Sequence, residues 1–347
     1  MPFFTLSRAP VHGLLLSLVL ATATPMSGAT RAAAARERLL ITEDWRFHRG
    51  DAPGAGDGLD YPAMRAWLLP TGAHLINAGS AAPVRPTGAE PGRDIPFVRP
   101  DFDDSGWRRL DIPHDWGIEG PFMQERPGDT GKLPWQGVGW YRKTLPITAA
   151  DEGRRIYLDI DGAMAYSAVW LNGRFVGGWP YGYTSYRLDL TPHVDFRGKN
   201  VLAVRLDNPD DSSRWYPGSG LYRNVWLVKS APVHVAQWGV YVTTPIVSAE
   251  EAVVKVDVQV DNTTDSKVSI ALTTAIHELG ADLRARCARH GPRARPGGHA
   301  HPPAAGPAAA PVGSRQPASV RGGDDGGAGR RGRRPGRDAF RHSHRAL

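Results

Sequence analysis

Residues 214–227 read Arg-Trp-Tyr-Pro-Gly-Ser-Gly-Leu-Tyr-Arg-Asn-Val-Trp-Leu, a glycine-rich turn that leads into an aromatic and β-branched segment. Alternating side chains over residues 221–228 predict a β-strand. The turn before it places Arg214, Trp215 and Tyr216 at the tip of a loop. Such residues suit a sugar, because the rings cover its C–H patch and the guanidinium donates to its hydroxyls. The same rings could instead plug one end of a β-sandwich, and their residue types favour the plug.

The chain on both sides of this stretch carries many short strand patterns. Residues 155–161 alternate apolar and polar side chains, and the Asn172-Gly173 pair between two apolar segments predicts a type I′ hairpin. One short helical piece is expected near residues 61–69. Short strands separated by turn residues, with almost no helical period, predict an all-β antiparallel sandwich.

Five motifs along the chain carry a family resemblance. In chain order they occupy residues 104–116, 139–142, 169–173, 181–186 and 214–227. The first four read Asp-Ser-Gly-Trp-Arg-Arg-Leu-Asp-Ile-Pro-His-Asp-Trp, Gly-Trp-Tyr-Arg, Val-Trp-Leu-Asn-Gly and Tyr-Gly-Tyr-Thr-Ser-Tyr. Together they resemble the N-terminal sugar-binding domain of glycoside hydrolase family 2, the β-galactosidases. The resemblance implies a galactose-binding-like, jelly-roll-like sandwich, which we expect over residues 37–231.

The segment after residue 231 shows fewer strand patterns. Strand-like runs lie at residues 233–242, 252–260 and 267–274. In the family an immunoglobulin-like sandwich follows the sugar-binding domain, so the resemblance implies an incomplete sandwich of that kind over residues 232–282. Because three or four strands leave sheet edges and an apolar face uncovered, we expect this piece to be partly unfolded or sticky.

The first 29 residues have the pattern of a secretory signal peptide. Arg8 precedes a short apolar core at residues 11–21, and Ser27-Gly28-Ala29 forms a small-residue cleavage site. The apolar core is too short for a stable transmembrane span. We therefore expect export to the periplasm or the extracellular space, with cleavage near Ala29 and no membrane association afterwards.

The composition changes abruptly near residue 283. Residues 281–347 hold 14 Arg against 4 Asp, so the formal net charge of +7 for the whole chain comes from this tail. An Arg-, Ala-, Gly- and Pro-rich segment cannot bury enough apolar surface to fold, and we expect residues 283–347 to be disordered. The tail is either a natural basic extension or an out-of-frame translation of GC-rich DNA, and a break inside a domain favours the frameshift. The single cysteine, Cys287, lies in this tail and excludes an intrachain disulfide.

The sequence carries no sign of a glycosidase catalytic pair. A retaining glycosidase needs two carboxyl groups about 5–5.5 Å apart. In the family both lie on a (β/α)8 barrel, a fold of roughly 250 residues, and the acid/base follows an Asn. No Asn-Glu dipeptide occurs in this sequence, so we predict no catalytic residue in the chain.

Other candidate clusters have simpler explanations. Asp159 and Asp161 are interpreted as a solvated strand face, and the acidic turn at residues 101–104 is interpreted as turn capping. The histidine pairs at residues 299–301 and 342–344 lack a third ligand of known geometry. We therefore predict no metal site and no cofactor.

The resemblance implies a sugar contact at one end of the sandwich. In family members, loops of this domain reach the rim of the barrel's pocket and touch the terminal sugar. The matching positions are Asp207, Asn208, Arg214, Trp215, Tyr216 and, where some members carry Asn, Gln136. Without the barrel these residues form an open half-site, so the expected affinity for a β-galactoside is on the order of millimolar or weaker.

Three functional hypotheses compete. The first is the N-terminal part of an exported family 2 glycoside hydrolase that is inactive without its barrel, and the second is a stand-alone carbohydrate-binding module. The third, a basic-tailed surface or nucleic-acid binder, is disfavoured because the basic region has no interleaved aromatic residues. We favour the first, whose inherited chemistry of β-galactoside hydrolysis follows from the resemblance alone.

Overall fold

The computed structural model describes residues 36–75, 82–210, 212–248, 252–276, 285–290 and 317–321. The predicted signal peptide and most of the predicted disordered tail lie outside these residues, and both stay predictions. No helix in the described part of the chain is long and apolar enough to cross a membrane.

The described residues form β-strands, short 3-10 helices and one α-helix. The strands are β1 (Arg36–Leu40), β2 (Trp45–Arg49), β3 (Arg108–Leu110), β4 (Gly137–Thr144), β5 (Arg155–Ile160), β6 (Ser167–Leu171), β7 (Arg174–Trp179), β8 (Tyr186–Asp189), β9 (Val201–Asn208), β10 (Val225–Ser230), β11 (Val233–Val247), β12 (Ala252–Asn262), β13 (Ala271–Ile276), β14 (Ala285–His290) and β15 (Pro317–Arg321). The helix α1 spans Tyr61–Leu68, where the sequence indicates it. The 3-10 helices span Gly56–Leu59, Leu69–Leu75, Pro96–Val98, Trp116–Glu119, Ala149–Asp151 and Thr191–His193.

Two antiparallel sheets make up the sandwich. One sheet has the strand order β1-β10-β5-β8 and the other the order β3-β2-β4-β9-β6-β7. Both contribute to a single buried core, which includes Leu158 and Leu227 from the first sheet and Tyr141, Val169 and Val204 from the second. Burial of apolar surface between the sheets is the main term that stabilises such a fold. The expected all-β, galactose-binding-like sandwich is therefore confirmed.

A second apolar cluster lies outside the six-stranded sheet. Met64 and Leu68 of α1 join Phe97, Trp140 and Trp170 in this cluster, and the two indoles stack with their ring centroids 5.4 Å apart. The Gly- and Pro-rich region before β3, which has little periodicity in the sequence, thus packs over the sheet.

The hairpin predicted at Asn172-Gly173 is confirmed. β6 and β7 pair antiparallel with Leu171 opposite Arg174. Both turn residues have positive φ, 53° at Asn172 and 79° at Gly173. Positive φ at both central positions defines the type I′ turn, whose twist matches that of the paired strands.

The strand predicted from residue 221 begins later, at Val225. Gly220 before it has φ of 104°, and the backbone carbonyl of Leu221 accepts a 2.9 Å hydrogen bond from the His114 amide rather than a ladder bond. Residues 221–224 therefore belong to the loop that precedes the strand.

Asp159 is buried, which corrects its interpretation as a solvated position. Its carboxylate pairs with Arg187 of the neighbouring strand, with an Nε–Oδ1 distance of 2.6 Å. Tyr157 lies on the same face of β5 because side chains two residues apart point the same way, and its ring packs 5.7 Å from that of His234. The face is covered by the segment that follows the sandwich, a long-range contact that the local pattern does not encode.

The strand patterns after residue 231 correspond to β11, β12 and β13. In the described part of the chain β11 is an edge strand, in the order β11-β12-β15, while β13 pairs with β14. Trp238 and Tyr241 of β11 are exposed. β14 and β15 lie within residues 283–347, and the expected disorder of that segment stays a prediction. The assignment of residues 232–282 to a partial immunoglobulin-like sandwich stays a prediction.

Candidate functional site

The residues predicted to touch sugar lie at one end of the six-stranded sheet. β9 ends at Asn208, which pairs with Gly137 at the start of the neighbouring β4, and Asp207 lies opposite Val138. Gln136 immediately precedes Gly137 in the chain. Strand pairing therefore brings Gln136, Asp207 and Asn208 together, and the loop that carries Arg214, Trp215 and Tyr216 departs from the same point.

Asn208 anchors that loop to the sheet. Its side chain is 1% exposed, and its Nδ2 donates to the carbonyl oxygens of Gly218 at 2.8 Å and Trp135 at 3.3 Å. The same nitrogen lies 3.2 Å from Ser219 Oγ, which itself donates to the Trp135 carbonyl at 2.7 Å. One side chain thus fixes the distance between the strand end and the base of the loop.

Three buried polar atoms at this end of the sandwich have no hydrogen-bond partner in the described part of the chain. They are Asn208 Oδ1, Gln136 Oε1 and Trp135 Nε1. Buried polar groups in folded proteins are nearly always paired. These two acceptors and one donor therefore mark places where a water molecule, a ligand or another segment can bond.

Trp215 is not a buried plug. Its side chain is 59% exposed, and its indole Nε1 donates to the Tyr183 hydroxyl at 2.8 Å. The neighbouring Arg214 is exposed and forms no ion pair or hydrogen bond within the described residues. An indole face and a guanidinium therefore reach solvent side by side, which the plug interpretation does not explain.

Tyr216, by contrast, is tied down from within. Its hydroxyl donates to Oδ1 of Asp115 at 2.8 Å, and Asp115 also accepts from the Gly117 amide at 2.9 Å. Burial raises the pKa of the Asp115 carboxyl. Burial and the adjacent carboxylate raise the pKa of the Tyr216 phenol. Tyr216 therefore fits the interpretation that its ring plugs the end of the sandwich, because its hydroxyl already donates to Asp115.

Asp207 belongs to a charge cluster centred on Arg205. The Arg205 guanidinium is almost fully buried and lies 2.6 Å from Asp51 and 3.3 Å from Asp207. Burial raises the pKa of Asp207, and Asp51 adds to the shift, while Arg205 opposes it. Arg205 also donates to the Leu59 carbonyl at 2.9 Å, so the region before α1 helps to hold the predicted sugar contact in place.

Sequence reasoning missed Asp51, which lies 154 positions before Arg205 in the chain. Its carboxylate accepts from Arg205 and also from the Trp140 indole at 2.9 Å. A lone Asp in a Gly- and Pro-rich stretch gives no local signal of such a role. The pKa of Asp51 is lowered, because its bonds with Arg205 and Trp140 outweigh the cost of burial.

A hydrogen-bond chain runs from the buried Tyr141 and His114 at the His-Asp-Trp corner to exposed residues at the surface. His114 Nδ1 lies 2.6 Å from the Tyr141 hydroxyl, and His114 Nε2 lies 3.1 Å from Glu119. Glu119 is in turn paired with Arg108 at 2.6 Å. Burial lowers the pKa of His114, although Glu119 opposes the shift. The corner motif was visible in the sequence, but the role of Tyr141 was not.

This end of the sandwich combines the exposed Trp215 ring, the Arg214 guanidinium and polar atoms without partners among the described residues. Such groups are the elements of a binding site. In the described part of the chain, no group of three or more His, Cys, Asp or Glu is placed to hold a metal ion. The carboxylates near the loop serve capping and ion pairing, as Asp115 and Asp207 illustrate.

Comparison with known proteins identifies the kind of domain that carries these residues. Residues 114–216 match the family model described as the glycosyl hydrolase 2 galactose-binding domain-like. The fold and the matched region define the class as a galactose-binding-like β-sandwich. Residues 114–216 thus form a galactose-binding-like domain of the kind found in glycoside hydrolase family 2.

Individual relatives support the same assignment. The chain is 40% identical over 246 residues to the β-galactosidase BoGH2A of Bacteroides ovatus, an alignment that covers 70% of this chain and 24% of the relative. It is 36% identical over 187 residues to a putative β-glucuronidase of Formosa agariphila, covering 53% of this chain and 18% of the relative. The chain thus spans about a quarter or less of these relatives' length.

Solved structures show the same fold. A family 2 glycosyl hydrolase from Bacteroides cellulosilyticus aligns with a TM-score of 0.56 at 28% identity, covering 74% of this chain and 30% of that one. A β-glycosidase from Bacteroides vulgatus aligns with a TM-score of 0.52 at 29% identity, covering 69% of this chain and 26% of that one.

Proposed function

We propose that this chain is the N-terminal part of an exported family 2 glycoside hydrolase, and that its loop end binds the terminal sugar of a β-galactoside. The observation that carries the proposal is the clustering of Gln136, Asp207 and the 214–216 loop around the buried anchor Asn208. Relatives named β-galactosidase and β-glucuronidase share this part of the chain.

Each residue has a distinct part in the proposed site. The exposed Trp215 ring faces the C–H patch of the sugar, and Arg214 donates to its hydroxyls. Gln136, which precedes β4 beside these residues, supplies a further side-chain amide to the hydroxyls. Asp207 accepts from another hydroxyl, with its carboxylate held by Arg205. Asn208 and Tyr216 act as positioning residues, because the first holds the loop base and the second its tip.

The binding claim is tested by titrating the purified chain with methyl β-galactoside and following intrinsic tryptophan fluorescence. We expect a saturable change with an affinity on the order of millimolar, because the site is open on one side. Trp215→Phe should remove the change, whereas the matched variant Trp238→Phe, which alters an exposed indole on β11, should retain it. Identical spectra of the unaltered chain at all sugar concentrations would refute the proposal.

Catalysis is tested separately with a chromogenic β-galactoside. We expect no release of the chromophore by this chain, because its sequence lacks an Asn-Glu dipeptide. Turnover above a boiled control would refute this. The alternative function, a stand-alone carbohydrate-binding module, is favoured by the exposure of Trp215 and predicts the same binding.

The coding DNA separates the two functions. We propose that residues from about 283 onward are translated out of frame, so another frame beyond the codon for Asp282 should resume strand patterns and then encode a barrel with an Asn-Glu motif. If no frame does so, the carbohydrate-binding module is the better description.

Export is also a proposal, supported by the pattern of residues 1–29. Expression with the natural N-terminus in a secreting host should yield a mature chain that starts near residue 30. Edman sequencing that reads Met1 in the secreted or periplasmic fraction would contradict it.

A further inference from the structure

Two loops at the end of the sandwich present three aromatic rings to solvent. Tyr181 is 57% exposed, Tyr183 37% and Trp215 59%. The rings of Tyr181 and Tyr183 meet edge to face with centroids 5.4 Å apart, and the Trp215 indole donates to the Tyr183 hydroxyl at 2.8 Å. We call these three side chains the aromatic platform.

The platform is held in place from below. The Tyr183 hydroxyl donates to the Pro217 carbonyl at 3.3 Å. This bond links the loop that carries the two tyrosines, residues 180–185, to the loop that carries Trp215, residues 214–220. Gly182, between the two tyrosines, accepts hydrogen bonds from the Tyr222 hydroxyl at 3.0 Å and from the Ala163 amide at 3.2 Å. The backbone under the rings is therefore fixed, so binding a ligand costs little conformational entropy.

Single exposed rings are common on protein surfaces, whereas a contiguous patch of exposed rings, such as these three in contact through Tyr183, marks a binding surface. Every ring of the platform carries a polar atom, and Arg214 beside Trp215 has no partner among the described residues. Flat apolar faces bordered by hydrogen-bonding groups match a pyranose, whose C–H faces are apolar and whose rim is hydroxylated. No aliphatic side chain of these two loops is exposed as a large hydrophobic group.

We propose that the aromatic platform binds a second pyranose unit of a β-linked saccharide, next to the terminal sugar. This extends the proposed function and rests on it. Tyr183 contacts both other side chains and so joins the two most exposed rings, Tyr181 and Trp215, into one surface. Trp215 faces the terminal sugar and Tyr181 stacks on the next unit, which makes the site selective for di- and oligosaccharides over monosaccharides.

The test compares lactose with methyl β-galactoside as ligands of the full chain, using ligand-observed NMR titration. We expect lactose to bind at least about threefold more tightly, which is the size of a modest ring contact. Tyr181→Ala should abolish that ratio and leave the affinity for methyl β-galactoside unchanged. Tyr181→Leu, which keeps apolar volume but not the flat face, should behave like the alanine variant. Tyr241→Ala, at an exposed ring on β11, should change neither affinity.

The outcomes separate this inference from the proposed function. Equal affinities for the two ligands, or a lactose preference that survives Tyr181→Ala and Tyr181→Leu, overturn the platform and leave the terminal-sugar site intact. Failure of both sugars to bind removes the proposed function, and this inference with it. If Tyr181→Ala instead converts a concentration-dependent dimer into a monomer in sedimentation, with lactose affinity unchanged, the rings form a protein interface and the inference is wrong.

Discussion

The hydroxyl of Tyr216 donates a 2.8 Å hydrogen bond to Oδ1 of Asp115, 101 positions earlier in the chain. Asp115 is also the N-cap of the 3-10 helix Trp116–Glu119. One carboxylate thus joins the tip of the 214–220 loop to the corner that follows β3. This contact lets Trp215 stand exposed while its neighbour in sequence is fixed.

We expect Tyr216→Phe to destabilise the fold by about 1–2 kcal/mol, because it removes the donor to a half-buried carboxylate. Urea unfolding followed by circular dichroism measures the loss. Tyr241→Phe is the matched control, since Tyr241 is exposed and its hydroxyl makes no hydrogen bond within the described residues. Equal stability of both variants and the unaltered chain would show that the Asp115 contact contributes nothing.

Removal of the loop anchor should affect stability and binding together. We expect Asn208→Ala to cost about 1–3 kcal/mol, because the buried Gly218 carbonyl loses its donor. The affinity for methyl β-galactoside should fall as the loop loosens. Asn224→Ala is the control, because the side-chain amide of this half-buried residue makes no hydrogen bond in the described part of the chain. Undiminished affinity in a folded Asn208→Ala protein would mean that the loop keeps its position without the anchor.

The Arg205 cluster should be sensitive to loss of its main counter-ion. We expect Asp51→Ala to destabilise the chain by about 3–5 kcal/mol, because it leaves a buried guanidinium with weaker compensation. Removal of the exposed Arg109, which pairs with Asp44, should cost no more than about 1 kcal/mol. The thermal or urea midpoints of the two variants measure the difference. Similar small losses of stability in both variants would indicate that Asp207 and the Leu59 carbonyl alone can compensate the buried charge of Arg205.

Stability should fall as the pH is lowered from 7.5 to 5.5. Burial lowers the pKa of His114, His193 and His234 from the ordinary value of 6.5. The unfolded chain therefore binds protons more readily than the folded one. The free energy of unfolding is highest above pH 6.5 and falls as the pH drops below that value. Urea unfolding at several pH values measures the slope.

His193→Gln should reduce that pH dependence, since it removes one of the three titrating groups. The raised pKa values of Asp115 and Asp207 contribute with the opposite sign, and comparison with the glutamine variant isolates the histidine part. A free energy of unfolding that is constant between pH 7.5 and 5.5, in both proteins, would contradict the prediction.

Local patterns predicted the elements of the sandwich well. The I′ hairpin at Asn172-Gly173 and helix α1 follow from short stretches of chain whose backbone preferences are strong. The same patterns failed where long-range contacts decide. Asp159 looks solvated in its strand, yet it is buried because Arg187 pairs with it and the following segment covers that face.

The candidate site divides in the same way. Its six positions could be chosen from motifs, but their roles could not, because motifs carry no information on exposure. Trp215 and Tyr216 are neighbours in sequence with the same aromatic character. One is exposed on a platform and the other is bound to Asp115. Tyr181 and Tyr183 lie in a motif that the sequence associates with the domain, and only their rings' contact with Trp215 suggests a binding surface.

The sequence alone determined the family motifs, the alternating strands and the turns, because these depend on residue type and on spacing along one segment. Tertiary structure alone decided which side chains of the loops reach solvent and which polar groups are held by partners 100 or more positions away, as Asp51 holds Arg205. The physical reason is that burial and ion pairing depend on which segments pack together, and strand pairing across the whole domain sets that arrangement.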